Sequence, residues 1–177
     1  MTRKILVFSD SHNNSKYINK ALEMHSDADM FVHLGDGACD LSRSFPEHYE
    51  KPLVFIEGNG EYYGWVGSDR RYRPLQFGFT EFEGKKIFMT HGHRFGVKST
   101  LTPIINEAIS RDADILLFGH THEACEGVIT SDNDHGFKIT KPIHIMNPGS
   151  IGSYPYTFGI ISIDKEGRIL LSHGALE

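Results

Sequence analysis

Lys4-Ile5-Leu6-Val7-Phe8-Ser9-Asp10-Ser11-His12 begins as a short apolar run and breaks abruptly into polar residues. A brief continuous apolar run of this kind reads as a strand buried on both faces, as in a parallel sheet. The polar residues fall where that strand ends, and open α/β sheets carry their sites there. The pattern recurs twice: Met30 to Leu34 runs into Gly35-Asp36, and Leu53 to Glu57 runs into Gly58-Asn59. The intervening stretches predict helices. Asn13 to Ser15 can cap one that reaches about His25, with Ile18, Ala21 and Leu22 on one face, and a second is expected over Leu41 to Tyr49. A βαβαβ start of this kind implies a parallel sheet with right-handed crossovers.

Further along, strands dominate. Gly60 to Pro74 reads as a loop rich in Gly, Tyr and Arg. Strands are expected at Leu75 to Phe82 and Lys86 to Thr90, joined by a turn at Glu83-Gly84. A helix follows at Lys98 to Arg111 and a strand at Ile115 to Phe118. Ala124 to Thr130 and Phe137 to Thr140 flank the polar turn Ser131 to Gly136 and read as a projecting hairpin. His144 to Met146, Thr157 to Ile163 and Arg168 to Ser172 complete the series, the last two joined by Asp164-Lys165-Glu166-Gly167. No repeat or linker interrupts the chain, so residues 1–177 are expected to form one α/β domain. Two mixed sheets face to face, with helices outside, fit this order.

Composition narrows the function. A length of 177 residues suits one domain with one substantial core, and 39% hydrophobic with 23% charged residues describes an ordinary globular chain. A net charge of -5 makes nucleic acid an unexpected partner. Cys39 and Cys125 form no CxxC pair, which argues against a disulfide scaffold or a thiolate zinc site. No stretch is long enough to span a membrane, and the opening apolar run is too short for a secretion signal, so a cytoplasmic location is expected.

The eleven histidines are the unusual figure, and their placement carries the chemistry. Five polar motifs punctuate the strands: Asp10-Ser11-His12, Gly35-Asp36, Gly58-Asn59, His91-Gly92-His93 and Gly119-His120-Thr121-His122. In an extended backbone residues i and i+2 point the same way, so Asp10 with His12, and His120 with His122, are expected to face one point. Carboxylate oxygen and imidazole nitrogen suit Mn, Fe, Zn, Ni or Co. Asp10, His12, Asp36, Asn59, His91, His120 and His122 are too many for one four-coordinate ion and suit two ions that share a carboxylate. Each motif alone is weak, since an Asp-x-His arises by chance and a Gly-Asp is usually a turn. Five in order, each at a strand end, are specific.

Those five motifs, followed by Asn147-Pro148-Gly149-Ser150, resemble the calcineurin-like metallophosphoesterase superfamily over nearly the whole chain. The short length resembles its small bacterial and archaeal phosphodiesterase branch. The resemblance implies a four-layer α/β/β/α sandwich and a metal-dependent phosphodiesterase. It assigns one metal to Asp10, His12, Asp36 and His122, and a second to Asp36, Asn59, His91 and His120, with Asp36 bridging. It makes Asp36 and Asn59 the catalytic pair and a small phosphodiester the substrate. Two divalent transition ions are expected, Mn first, with Ni, Zn, Fe, Co or Mg as alternatives. One position departs from the wider family: many members carry a His after the Asn of Gly-Asn, and here Gly60 stands there, followed by Glu61.

Other readings stand beside these. A phosphomonoesterase or nucleotidase is one alternative, and Gly60 counts against it. A protein-interaction scaffold is another, since the superfamily includes a retromer subunit with an eroded metal set. Tyr62, Tyr63, Trp65, Arg70, Arg71, Tyr72 and Arg73 read equally as a substrate lip, with Arg70 and Arg71 gripping phosphate, and as a packed loop or the contact of a homo-oligomer. His93 is expected to orient a metal-binding imidazole or to serve a turn, with acid catalysis as the rival role. His33 is expected to pack half-buried within its strand. His25, His48, His135, His144 and His173 are expected to be surface or satisfied structural residues.

Overall fold

A computed structural model of the chain describes residues 1–45, 50–61, 74–133 and 136–177. The opening forms as read. β1 (Arg3–Phe8) leads to α1 (Ser15–Met24), β2 (Met30–His33), α2 (Ala38–Ser44) and β3 (Leu53–Phe55). β1 and β2 pair in parallel, as do β2 and β3. α1 buries Ile18, Ala21 and Leu22, one stripe at helical spacing. α2 begins three residues earlier than expected. Ala38 and Leu41, with Phe45 just past its end, supply the buried stripe, of which the reading from Leu41 onward missed Ala38.

The second sheet opens with β4 (Gly78–Phe82) and β5 (Lys85–Met89), an antiparallel hairpin. Its two-residue turn, Glu83 at φ 50° and Gly84 at φ 71°, has the left-handed backbone that matches strand twist. The expected Lys98 to Arg111 helix is shorter. A 3-10 turn at His93–Phe95 and a left-handed Gly96 take up the approach, and α3 (Thr102–Ser110) starts where Pro103 fits its first turn. β6 (Ile115–Leu117), β7 (Ala124–Ile129) and β8 (Ile143–Pro148) complete the sheet in the order β4-β5-β6-β8-β7. Here the expected hairpin is corrected: β7 pairs with β8, Ile129 opposite Ile143, and not with Phe137 to Thr140. β8 has apolar residues for both faces, whereas Phe137 and Ile139 turn inward from a loop onto the core around α3.

β9 (Thr157–Ile163) and β10 (Ile169–Ala175) return to the first sheet, whose order is β10-β9-β1-β2-β3. Both sheets are mixed, and period-two alternation sorts their side chains into three apolar layers. Leu6, Phe8 and Phe31 face α1 and α2. Ile5, Val7, Val32, Ile87, Met89, Ile115, Leu117, Met146 and Ile161 fill the space between the sheets. Phe88, Leu116 and Ile145 face α3. Each fully buried side chain of this size contributes roughly 1.5–3 kcal/mol relative to exposure. The layering is therefore helix, sheet, sheet, helix. No helix among the described residues is long and apolar enough to cross a membrane.

Candidate metal centre

The polar motifs all sit on loops that leave strand ends. Asp10 and His12 follow β1, Asp36 follows β2, and Asn59 lies beyond β3. His91 follows β5, and His120 and His122 follow β6. The first sheet thus supplies four of these side chains and the second supplies three. The backbone that aims them is not extended. Asp10, His12, Asp36, His120 and His122 have φ of 54°, 47°, 59°, 70° and 63°. The pairs i and i+2 do converge, but through left-handed turns and not through strand alternation. Asp and His tolerate this region better than most residues, and such strain gathers at functional sites.

The seven side chains meet. His122 Nε2 stands 3.1 Å from Asp10 Oδ1 and 3.3 Å from His12 Nε2. His91 Nε2 lies 3.9 Å from Asp10 Oδ1, 3.7 Å from Asp36 Oδ2, 3.1 Å from Asn59 Oδ1 and 3.2 Å from His120 Nδ1. Two triples of ligand atoms result, Asp10 with His12 and His122, and Asp10 with Asp36 and His91. Asp10 belongs to both triples and Asp36 to one. A cleft of about 300 Å³ opens beside them, lined by His12, Asn13, Asp36, Gly37, Cys39 and Glu61 among others.

His91 Nδ1 donates to the Leu34 carbonyl at 2.8 Å, which turns Nε2 toward Asn59 Oδ1 and His120 Nδ1. Burial, with the neighbouring His91 second, pushes His120 down to about 4, so its ring is neutral at pH 7. Asp10 is fully buried and its Oδ1 accepts no hydrogen bond. Such an acceptor costs free energy unless a donor or cation satisfies it. The donor set, oxygen and imidazole nitrogen around a buried carboxylate, fits divalent cations.

A second ring of groups holds these loops. Ser9 Oγ donates to Asp10 Oδ2 at 2.5 Å, and the His120 N–H donates to the same oxygen at 3.1 Å. Ser150 Oγ donates to the Asp10 carbonyl at 2.9 Å, and Asn147 donates to Gly119 O and Thr121 Oγ1. Asn147-Pro148-Gly149-Ser150 therefore braces two of the motifs. His33 is a correction: it is wholly buried and hydrogen-bonded, not half-buried packing. Its Nδ1 accepts from the Gly35 N–H, so its Nε2–H donates to Ser11 Oγ at 3.2 Å, and Ser11 in turn donates to Asp40 at 2.6 Å. Burial pushes His33 down to about 3. The His93 ring lies 5.3 Å from that of His91 and 6.1 Å from that of His120. His173 is tied to Glu126 at 2.6 Å and to the Asn147 carbonyl at 2.8 Å. Arg70 and Arg71, like the aromatic residues around them, lie outside the described residues.

Ser11, Asp40 and Glu61 were not singled out by their sequence pattern. Glu61 had one legible signal. Gly37 stands at the start of α2 without a side chain to cap it, so the first amide groups need an acceptor from elsewhere.

Two facing sheets gather acidic and imidazole groups at their strand ends, and two triples of these groups could hold a metal ion. The model of the calcineurin-like phosphoesterase superfamily domain matches residues 3–166, and the chain belongs to that superfamily. It is similar to the probable metallophosphoesterase YsnB of Bacillus subtilis, 28% identical over 83% of this chain and 74% of that protein. It is also similar to the phosphodiesterase MJ0936 of Methanocaldococcus jannaschii, 25% identical over 92% of this chain and 95% of that one. Among solved structures, a conserved, predicted phosphoesterase from Streptococcus pneumoniae superposes with a TM-score of 0.68 at 22% identity, covering 99% of both chains. Vacuolar protein sorting 29 of Cryptosporidium parvum gives 0.71 at 14% identity, with 99% of this chain and 98% of that one covered. The last two show the shared fold.

Proposed function

We propose that the chain is a phosphodiesterase whose centre takes two divalent transition ions, Mn first, with Asp10, His12, Asp36 and His122 around one and Asp36, Asn59, His91 and His120 around the other. The observation that carries this reading is the buried, unpartnered Asp10 Oδ1, ringed by imidazole nitrogens. Phosphodiesterase-named relatives at low identity support the substrate class. When bound, such ions supply Lewis acidity at a phosphoryl oxygen and a water acidic enough to ionise near neutral pH. The chain's own part is placement. Leu34 O fixes the His91 ring, and the Gly60 N–H orients Asp36 through a 2.6 Å bond to Oδ1. Asn59 offers its amide to the reacting group, and Arg70 and Arg71 grip phosphate.

Gly60 bears on the kind of ester. No imidazole follows Asn59 to protonate a leaving alkoxide, which elsewhere is typically worth about 10²–10⁴-fold. Diesters, or esters with good leaving groups, should therefore be preferred over alkyl monoesters. The test is chelator-stripped protein assayed across metals with an aryl diester and a monoester of the same aryl leaving group. Activity that survives chelation, or a preference for alkyl monoesters, would sink the proposal. Gly60→His sharpens it. A Cβ there would stand 3.0 Å from Asp36 Oδ1, so the variant is read only where its metal content matches the wild type. The monoester-to-diester ratio should rise by about tenfold, a modest share of what acid catalysis can supply.

A further inference from the structure

Two of the loops that carry the centre touch backbone to backbone. A Cβ on Gly35 would stand 2.8 Å from Gly58 Cα, and one on Gly58 would strike the Asp36 carboxylate. Glu61 ties these loops together. Its Oε1 accepts from the Gly37 N–H at 2.5 Å and the Ala38 N–H at 2.8 Å, and its Oε2 accepts from the Gly58 N–H at 2.7 Å. Gly37 and Ala38 directly follow Asp36, and Gly58 directly precedes Asn59. One carboxylate therefore holds the amides flanking both residues. Burial raises the Glu61 pKa from the ordinary carboxylate value, and the three N–H donors, whose bonds are strongest to the ionised form, oppose that shift.

We infer that Glu61 is a positioning residue of the centre, fixing the spacing between Asp36 and Asn59 so that both serve the same ions. The inference rests on the reading of those two residues given above. It accounts for an acidic residue that neither lies among the seven converging side chains nor pairs with any described cation. Groups that orient metal-binding side chains typically cost 10–100-fold in metal affinity or activity when removed.

Glu61→Gln is the near-isostere: its one carbonyl oxygen cannot serve both loops, and its NH₂ opposes an N–H. Glu61→Asp keeps the charge and falls a methylene short of the far loop. Mn(II) titration of chelator-stripped protein should show the weaker-bound ion losing about 10–100-fold in affinity in both variants. kcat at saturating metal should fall with KM little changed. In the metal-free wild type, amide exchange at Gly37, Ala38 and Gly58 should be slow, and fast in both variants. Asp29→Asn is the structural control, since Asp29 accepts from the Lys4 N–H at 2.8 Å at the other end of β1. It should lower Tm without moving metal affinity. Wild-type affinity for both ions in either variant would overturn the inference, as would fast exchange at Gly37 and Ala38 in the wild type. A wild-type protein that takes up no divalent ion would instead refute the reading of the centre, and exchange alone would then decide the role of Glu61.

Discussion

Asp36 carries the heaviest single burden. The residue is 7% exposed, and its carboxylate accepts the Gly60 N–H and faces His91. An amide in its place carries no charge to balance bound cations. Asp36→Asn should lower kcat/KM by about 100-fold or more, the upper range for groups that set a metal site, and reduce bound metal from two ions to one or none. His25→Ala, on the far end of α1, should leave both nearly unchanged, so equal damage from the two would refute the assignment. His33 makes a different prediction. Burial holds it neutral in the folded chain down to about 3, against 6.5 when unfolded. The unfolded state therefore binds the extra proton first, and stability is lost as pH falls from 6.5 toward 3. The loss is up to about 1.4 kcal/mol per pH unit. Between about pH 7.5 and about pH 5.5, urea unfolding of metal-free protein should show about 1 kcal/mol more loss for the wild type than for His33→Gln. The seven converging residues were legible at this scale because Asp, Asn and His at strand ends are chemically conspicuous. Ser11, Asp40 and Glu61 were not, because a hydrogen bond to a distant backbone leaves no local pattern.

Elements were legible where period and length agreed. β1, α1, β2 and β9 lie close to their expected limits because each has an unbroken apolar pattern. The region between β7 and β8 was misread because Phe137 and Ile139 mimic strand alternation while they pack from a loop. α3 was drawn too long because Lys98 to Leu101 carries no helix-breaking residue, and only Pro103 marks the true start. Ser131, Asp132 and Asn133 follow the Ile129 and Ile143 end of the strand pair, and the loops that carry the seven converging side chains leave the opposite ends of the strands. Replacing residues 132–136 with a shorter polar link should preserve metal content and lower Tm by only a few degrees, as a loop change of under about 1 kcal/mol would. Loss of both ions would contradict that separation. Ile139→Asp, by contrast, should destabilise the fold without touching any ligand.

At the scale of the molecule, the centre spans the seam between the sheets. Ions bound there would hold the sheets together, and a ligand at about 1,000 times its Kd stabilises by roughly 4 kcal/mol. Chelation should therefore lower Tm by on the order of 10 °C for a chain of this size. A shift under a degree would mean that the ions do not bridge the seam. The layers were legible in outline from the order of helices and strands, but the order of the strands across each sheet was not, because alternation says which face a residue occupies and nothing about its neighbour. That order has a temporal side. β1 sits between β2 and β9, pairing Arg3 with Ile163. On the ribosome all seven metal-seeking groups emerge by His122, yet the strand that locks β1 ends at Ile163. At about 5–20 residues per second the nascent chain trails these groups, unsheltered, for roughly 2–8 s. A chain halted after Tyr156 would carry all seven groups without the strand that flanks β1, and if the proposed centre needs that strand in place it should capture no ion.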